Sequence, residues 1–301
     1  MRIRIGRGPG CPSRRVQLAR RLCGLVGVAA ALAAAASFLV AGGVAQGAPG
    51  HPYLTLGDSV SFGFITQAGF EYGNPANFVS YANYVGNDLR LTTTNAGCPG
   101  EATTSFISST GADNGCRAFR SEAPLHVNYS GTQFDFAKTF LTAHPNTGLV
   151  TIQLGANDLF ILEKACAGVQ ACIQAGLPAT LATISSDMNT ILGGLRATGF
   201  HGVLMVVNYY SLDYSNAPNT AVTQLLNQAE TASAQANGAV VADAFGAFQQ
   251  ASASAGGQTC AAGLLNASPT NQFTCDVHPS QSGHLLLAQT IEAAYQAATG
   301  G

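Results

Sequence analysis

Short apolar runs alternate along this chain with longer stretches in which apolar residues return every three or four positions. Residues 53–56, 91–94, 149–154, 203–207 and 239–241 read as strands. Three of them, in "LVTIQL", "VLMVV" and "AVV", run without alternation, as strands do when both faces are covered. Between them the periodicity predicts helices over residues 77–89, 134–143, 178–197 and 221–237, with a last one over 280–298. This order predicts an α/β sandwich around a parallel sheet of about five strands. Ligands in such folds sit beyond the carboxyl ends of the strands, so the polar residues that follow each run are the ones to question.

The first fifty residues follow a different pattern. Arg2, Arg4, Arg7, Arg14, Arg15, Arg20 and Arg21 precede an uncharged run over residues 22–44, and Ala45-Gln46-Gly47 then offers small residues. That order predicts a secretory signal peptide over residues 1–47, removed to leave one domain over 48–301. A membrane anchor is the alternative, since the run is long enough to cross a bilayer, but Ala and Gly dominate it rather than Leu, Ile and Phe. Seven of the thirteen Lys and Arg residues fall in this leader and all fifteen acids follow it. The remaining chain is acidic and would repel phosphate, so nucleic acid is not an expected partner.

Cysteine usage agrees with export. Beyond the leader stand Cys98, Cys116, Cys166, Cys172, Cys260 and Cys275, an even number in three sequence-local pairs. Disulfides between neighbours are the simplest pairing, though six cysteines allow about fifteen connectivities. No C-x-x-C occurs and the six histidines are scattered, so no metal site is expected.

The strand ends carry candidate chemistry. The first run stops at Gly57-Asp58-Ser59, the second is followed by Asn95-Ala96-Gly97-Cys98-Pro99-Gly100-Glu101, and the third by Gly155-Ala156-Asn157-Asp158. Late in the chain, Asp276-Val277-His278-Pro279 precedes the last helix, on a loop that would bring His278 to the same edge. Acyl transfer needs a hydroxyl, a base to take its proton, a group to orient that base, and donors for the developing oxyanion. Ser59, His278 and Asp276 fit the first three roles. The N–H groups of Ser59 and Gly100 and the side-chain amide of Asn157 fit the fourth, glycine because a backbone donor must approach without a Cβ. Ser61 ranks behind Ser59 because it is not directly at the strand end. Asp58 is expected to pin the turn, Asp158 to cap or anchor a loop, and Tyr209 and Tyr210 to pack, with a wall of the acyl pocket as the alternative.

"GDSVSFG", the glycine of "NAGCPGE", "GAND" and "DVHP" together resemble the four blocks of the SGNH hydrolases, also called GDSL esterases and lipases. The resemblance implies a flavodoxin-like three-layer α/β/α fold and ester hydrolysis through an acyl-serine intermediate. It further implies no cofactor, a small-molecule or lipid ester as substrate, and the roles just given to Ser59, Gly100, Asn157 and His278. With its three cysteine pairs, the chain looks most like the secreted actinobacterial members, and a secreted monomer is expected. One departure stands out. The family's usual spacing is Asp-x-x-His, whereas Asp276 precedes His278 by two residues and Cys275 fills the usual place. A backbone carbonyl, such as that of Cys275, is the alternative partner for the imidazole. A carbohydrate O-deacetylase, a phospholipase and a non-catalytic carbohydrate- or wall-binding module remain alternatives on the same fold.

Overall fold

The computed structural model describes residues 50–66, 69–268 and 270–300; the expected leader over 1–47 lies outside them. The chain runs β1 (Pro52–Gly57), α1 (Ser59–Phe62), α2 (Tyr81–Asp88), β2 (Thr92–Asn95), α3 (Thr103–Ile107), α4 (Cys116–Glu122), α5 (Gln133–Ala143) and β3 (Leu149–Gln153). It continues through α6 (Ala156–Ala165), α7 (Gln170–Ala197), β4 (Val203–Val207), α8 (Ala217–Ala236), β5 (Val240–Ala242) and α9 (Ala244–Ser252), and closes with β6 (Leu265–Ser268), β7 (Asn271–Pro279) and α10 (Gln281–Thr299).

Strands β1 to β5 form one parallel sheet in the order β2-β1-β3-β4-β5. Helices α2, α9 and α10 pack together on one side, and α3, α5, α6, α7 and α8 on the other. The result is a three-layer α/β/α sandwich with flavodoxin-like strand order. Leu54, Leu56, Leu149, Ile152, Met205 and Val206 are fully buried between the layers. Each such side chain contributes roughly 1.5–3 kcal/mol relative to exposure, which explains the unbroken apolar runs. The order reverses at β1, between β2 and β3, and this is where open sheets of this kind place their ligands.

All five expected strands are present; the helices differ at their ends. Helix α7 starts at Gln170 and passes through Pro178, where the sequence predicted a start. Pro178 removes the bond to the Gln174 carbonyl, a cost of about 3 kcal/mol. Buried Ile184, Met188, Ile191, Leu192 and Leu195 anchor the remainder of this 28-residue helix. Helix α2 starts later than expected, because Ser80 caps it and Asn83 returns a bond to the Ser80 N–H. The expected loop carrying His278 is strand β7, paired antiparallel with β6 outside the main sheet.

Candidate active site

The turn that carries Ser59 is fixed by close backbone packing. Gly57 ends β1 at φ +128°, and a Cβ there would lie 2.0 Å from the Gln153 carbonyl of β3. Only glycine allows the two strands to approach so closely at this bend. Asp58 caps α1, its Oδ1 accepting from the Val60 N–H at 2.9 Å. Ser59 is thus the first residue of α1, and its N–H lies outside the intrahelical ladder. Ser61 points inward instead, fully buried, donating to the Leu56 carbonyl at 2.8 Å and lying 2.9 Å from the Tyr81 hydroxyl.

His278 Nε2 lies 3.0 Å from Ser59 Oγ, although 219 residues separate them in sequence. Its Nδ1 is 3.4 Å from Asp276 Oδ2 and 3.3 Å from Thr66 Oγ1, and the Thr66 hydroxyl donates to the same carboxylate oxygen. Strand geometry accounts for the short Asp-x-His spacing. Residues two apart on an extended strand point to the same side, so Asp276 and His278 share a face of β7. The other carboxylate oxygen accepts from the His278 N–H at 2.8 Å, closing the turn on itself. Burial pushes the Asp276 pKa up, but the hydrogen bonds from His278 and Thr66 outweigh it and hold the carboxyl below its ordinary value.

The loops after β2 and β3 are tied to the same edge. The Cys98 N–H donates to the Gly57 carbonyl at 3.0 Å, which brings the Gly100 loop beside the Ser59 turn. Gly100 adopts φ +86°, and a Cβ there would meet the Asn114 carbonyl at 2.7 Å. Asn157, the second residue of α6, donates from Nδ2 to the Glu101 carbonyl at 3.0 Å and approaches Asp58 Oδ2 at 3.4 Å. Its Oδ1 accepts from Asn114 Nδ2 at 2.9 Å, which fixes the amide with Nδ2 between the Glu101 carbonyl and Asp58 Oδ2. Asp158 anchors the same loop by accepting from the N–H and hydroxyl of Thr103, at 3.0 and 2.7 Å.

Buried acids surround this edge. Burial raises Asp58 to about 6, against opposing hydrogen bonds from the Tyr209 hydroxyl at 2.5 Å and from Val60. Burial likewise raises Asp158 to about 6 and Glu101 to about 7. Glu101 accepts from Ser105 and from Gln133, not from an arginine. Glu230 of α8 is fully buried, neither of its carboxylate oxygens has a hydrogen-bond partner, and burial pushes its pKa far up. His284 is a core residue: it accepts from the Tyr81 N–H at 3.2 Å, and burial pushes it down to about 3.

The cysteines pair with their neighbours, as 98–116, 166–172 and 260–275, with Cα separations of 5.5, 5.5 and 5.6 Å. Two participants at this edge were invisible in the sequence. Thr66 and Asn114 belong to no motif, and each acts through a partner at least 43 residues away. Tyr209 and Tyr210 both pack and line a cavity at Ser59, and the Tyr210 hydroxyl donates to the Val277 carbonyl at 2.7 Å.

Comparison with known proteins agrees with this fold. The fold is similar to that of Axe2, an acetylxylan esterase from Geobacillus stearothermophilus, with a TM-score of 0.51 and 15% identity, over 82% of this chain and 95% of that one. It is also similar to LAE5, an alpha/beta hydrolase enzyme from the metagenome of Lake Arreo, Spain, with a TM-score of 0.50 and 15% identity, over 82% and 96% of the respective chains. No curated protein sequence is significantly similar to this one. Residues 55–286, which span every candidate station from Ser59 to His278, match the GDSL-like lipase/acylhydrolase family, and the chain belongs to that family.

Proposed function

We propose that this chain is a secreted serine hydrolase that cleaves carboxylic esters through an acyl-serine intermediate. The observation that carries the reading is the 3.0 Å contact between Ser59 Oγ and His278 Nε2 at the carboxyl edge of the sheet. His278 takes the Ser59 proton as Oγ attacks the acyl carbon. The carbonyl oxygen, now negative, is met by the N–H groups of Ser59 and Gly100 and by Asn157 Nδ2. Collapse of the tetrahedral intermediate breaks the bond to the alcohol oxygen, which leaves with the proton held on His278. Water then attacks the acyl-serine, giving its proton to His278, and the carboxylic acid departs as Ser59 regains its hydrogen. Asp276 and Thr66 keep the imidazole in the tautomer that accepts at Nε2, and the carboxylate stabilises the imidazolium that forms.

Export is supported by three disulfides, which persist in oxidising compartments, and by the basic-then-apolar order of the leader. Among the described residues no helix is long and apolar enough to cross a membrane. Reaction with a fluorophosphonate followed by peptide mass spectrometry tests the core of the reading. The expected result is a single adduct on Ser59 and loss of p-nitrophenyl ester turnover; an unlabelled Ser59 in a folded, ester-cleaving protein overturns it.

A further inference from the structure

The cavity that opens on Ser59, Asn157 and His278 has a volume of about 590 Å³, and three helices wall it. Helix α6 carries one wall directly away from Asn157 through Leu159 and Phe160. Ile173 and Leu177 of α7, and Val222 and Leu226 of α8, are each four residues apart and so stand on single helix faces turned into the same space. Apart from Leu226, these side chains are only half-buried, so the protein itself leaves this apolar surface uncovered. Among the described residues no Lys or Arg lines the cavity, and beyond Asp58 and His278 the one charged group there is Glu163. A phosphate-bearing group would find no cation there.

We infer that this cavity holds the acyl chain of the ester and selects acyl groups of about eight to ten carbons over acetyl. The inference rests on the acyl-serine reading above and names its substrate class. The lining of α8 runs from Pro218 to Leu226, about 12 Å of helix, which a zigzag of nine or ten carbons with bonds of about 1.5 Å would span. The direction follows from the chemistry. The leaving alcohol must lie beside His278 Nε2 to receive its proton, while the carbonyl oxygen faces Asn157. With those two positions taken, the acyl chain is the substituent left to enter the apolar cavity walled by α6, α7 and α8. An acetyl group would leave most of this apolar wall in water.

The test is a p-nitrophenyl ester series from acetate to palmitate, with hexyl, octyl and decyl acetates alongside. Each fully buried methylene is expected to raise kcat/KM about fourfold, so the six that separate octanoate from acetate give up to about 4 × 10³-fold, and at least about a hundredfold where they are half-buried. The gain should stop beyond about ten carbons, where the 12 Å wall ends. Val222→Phe and Leu177→Trp, on different helices, should each lower the octanoate-to-acetate ratio at least tenfold, a quotient insensitive to the amount of folded enzyme. A wild-type series that is flat or falls from acetate upward overturns the inference, whatever the variants do. So does a rise that follows the alcohol chain of the acetates instead of the acyl chain. If Ser59 is labelled and acetate is cleaved in either case, the acyl-serine reading survives and only the chain assignment falls. If Ser59 is not labelled and no ester is cleaved, both fall.

Discussion

Ser59 stands where a buried parallel strand bends into a helix, whereas His278 stands on an antiparallel strand that never joins the main sheet. The serine is placed by Gly57 wedged against β3, by the Asp58 cap and by the Cys98 N–H on the Gly57 carbonyl. The histidine is placed by side chains: Asp276 and Thr66 on its ring, the Phe64 ring with its centroid 5.0 Å from the imidazole's, and the Tyr210 hydroxyl on the neighbouring Val277 carbonyl. The two supporting disulfides differ in the same way. Cys98–Cys116 is fully buried beside the serine, and Cys260–Cys275 is partly exposed beside the histidine. Backbone packing against a sheet fails only when the fold fails. Side-chain positioning can be weakened one contact at a time, so the histidine end should be the graded half of the pair.

Removing either reacting group gives the largest effect and does not distinguish the two ends. Ser59→Ala and His278→Ala are each expected to lower kcat by about 10⁵–10⁶, with the thermal transition unchanged. Asn157→Ala should cost about 10²–10³ in kcat with a smaller change in KM, because its amide meets charge that exists only in the transition state. Wild-type kcat in that variant would remove Asn157 from the oxyanion site. The next pair sharpens the comparison itself. Asp276→Ala should lower kcat about 10–100-fold, and Thr66→Val should lower it less, with KM nearly constant in both. Equal kcat in Asp276→Ala and wild type would transfer the orienting role to a backbone carbonyl.

The smallest effect lies on stability at the serine end. Glu230 is pushed far up by burial, so its contribution to stability is complete below the unfolded value of about 4.3 and is lost as pH rises. The melting temperature of Glu230→Gln should therefore gain on that of wild type as pH rises from about 4.5 to about 8, read by calorimetry. A difference in melting temperature that does not change with pH would mean that the buried carboxyl is not held neutral.

The same contrast marks what the sequence could show. β3 and β4 announced themselves because both of their faces are buried, and Gly57, Gly100 and Asn157 because their roles restrict residue type. Helix α6 is not among the expected helices, because only two residues separate it from β3 and leave no turn to mark its start. The extent of α7 was misread at Pro178, where tertiary packing of the helix's later turns outweighs a local breaker. Thr66, Asn114 and the bond from Tyr209 to Asp58 were illegible for a different reason: a hydroxyl or amide gains its meaning from a partner that only the folded chain supplies.

Asp276 and His278 face the same way because one residue lies between them on β7. Adding or deleting a single residue there would rotate the imidazole to the opposite side while leaving every amino acid of the site in place. This segment should therefore accept substitutions far more readily than changes in length, so in descendants of this chain the count of residues between acid and base is a stricter record of activity than their surroundings.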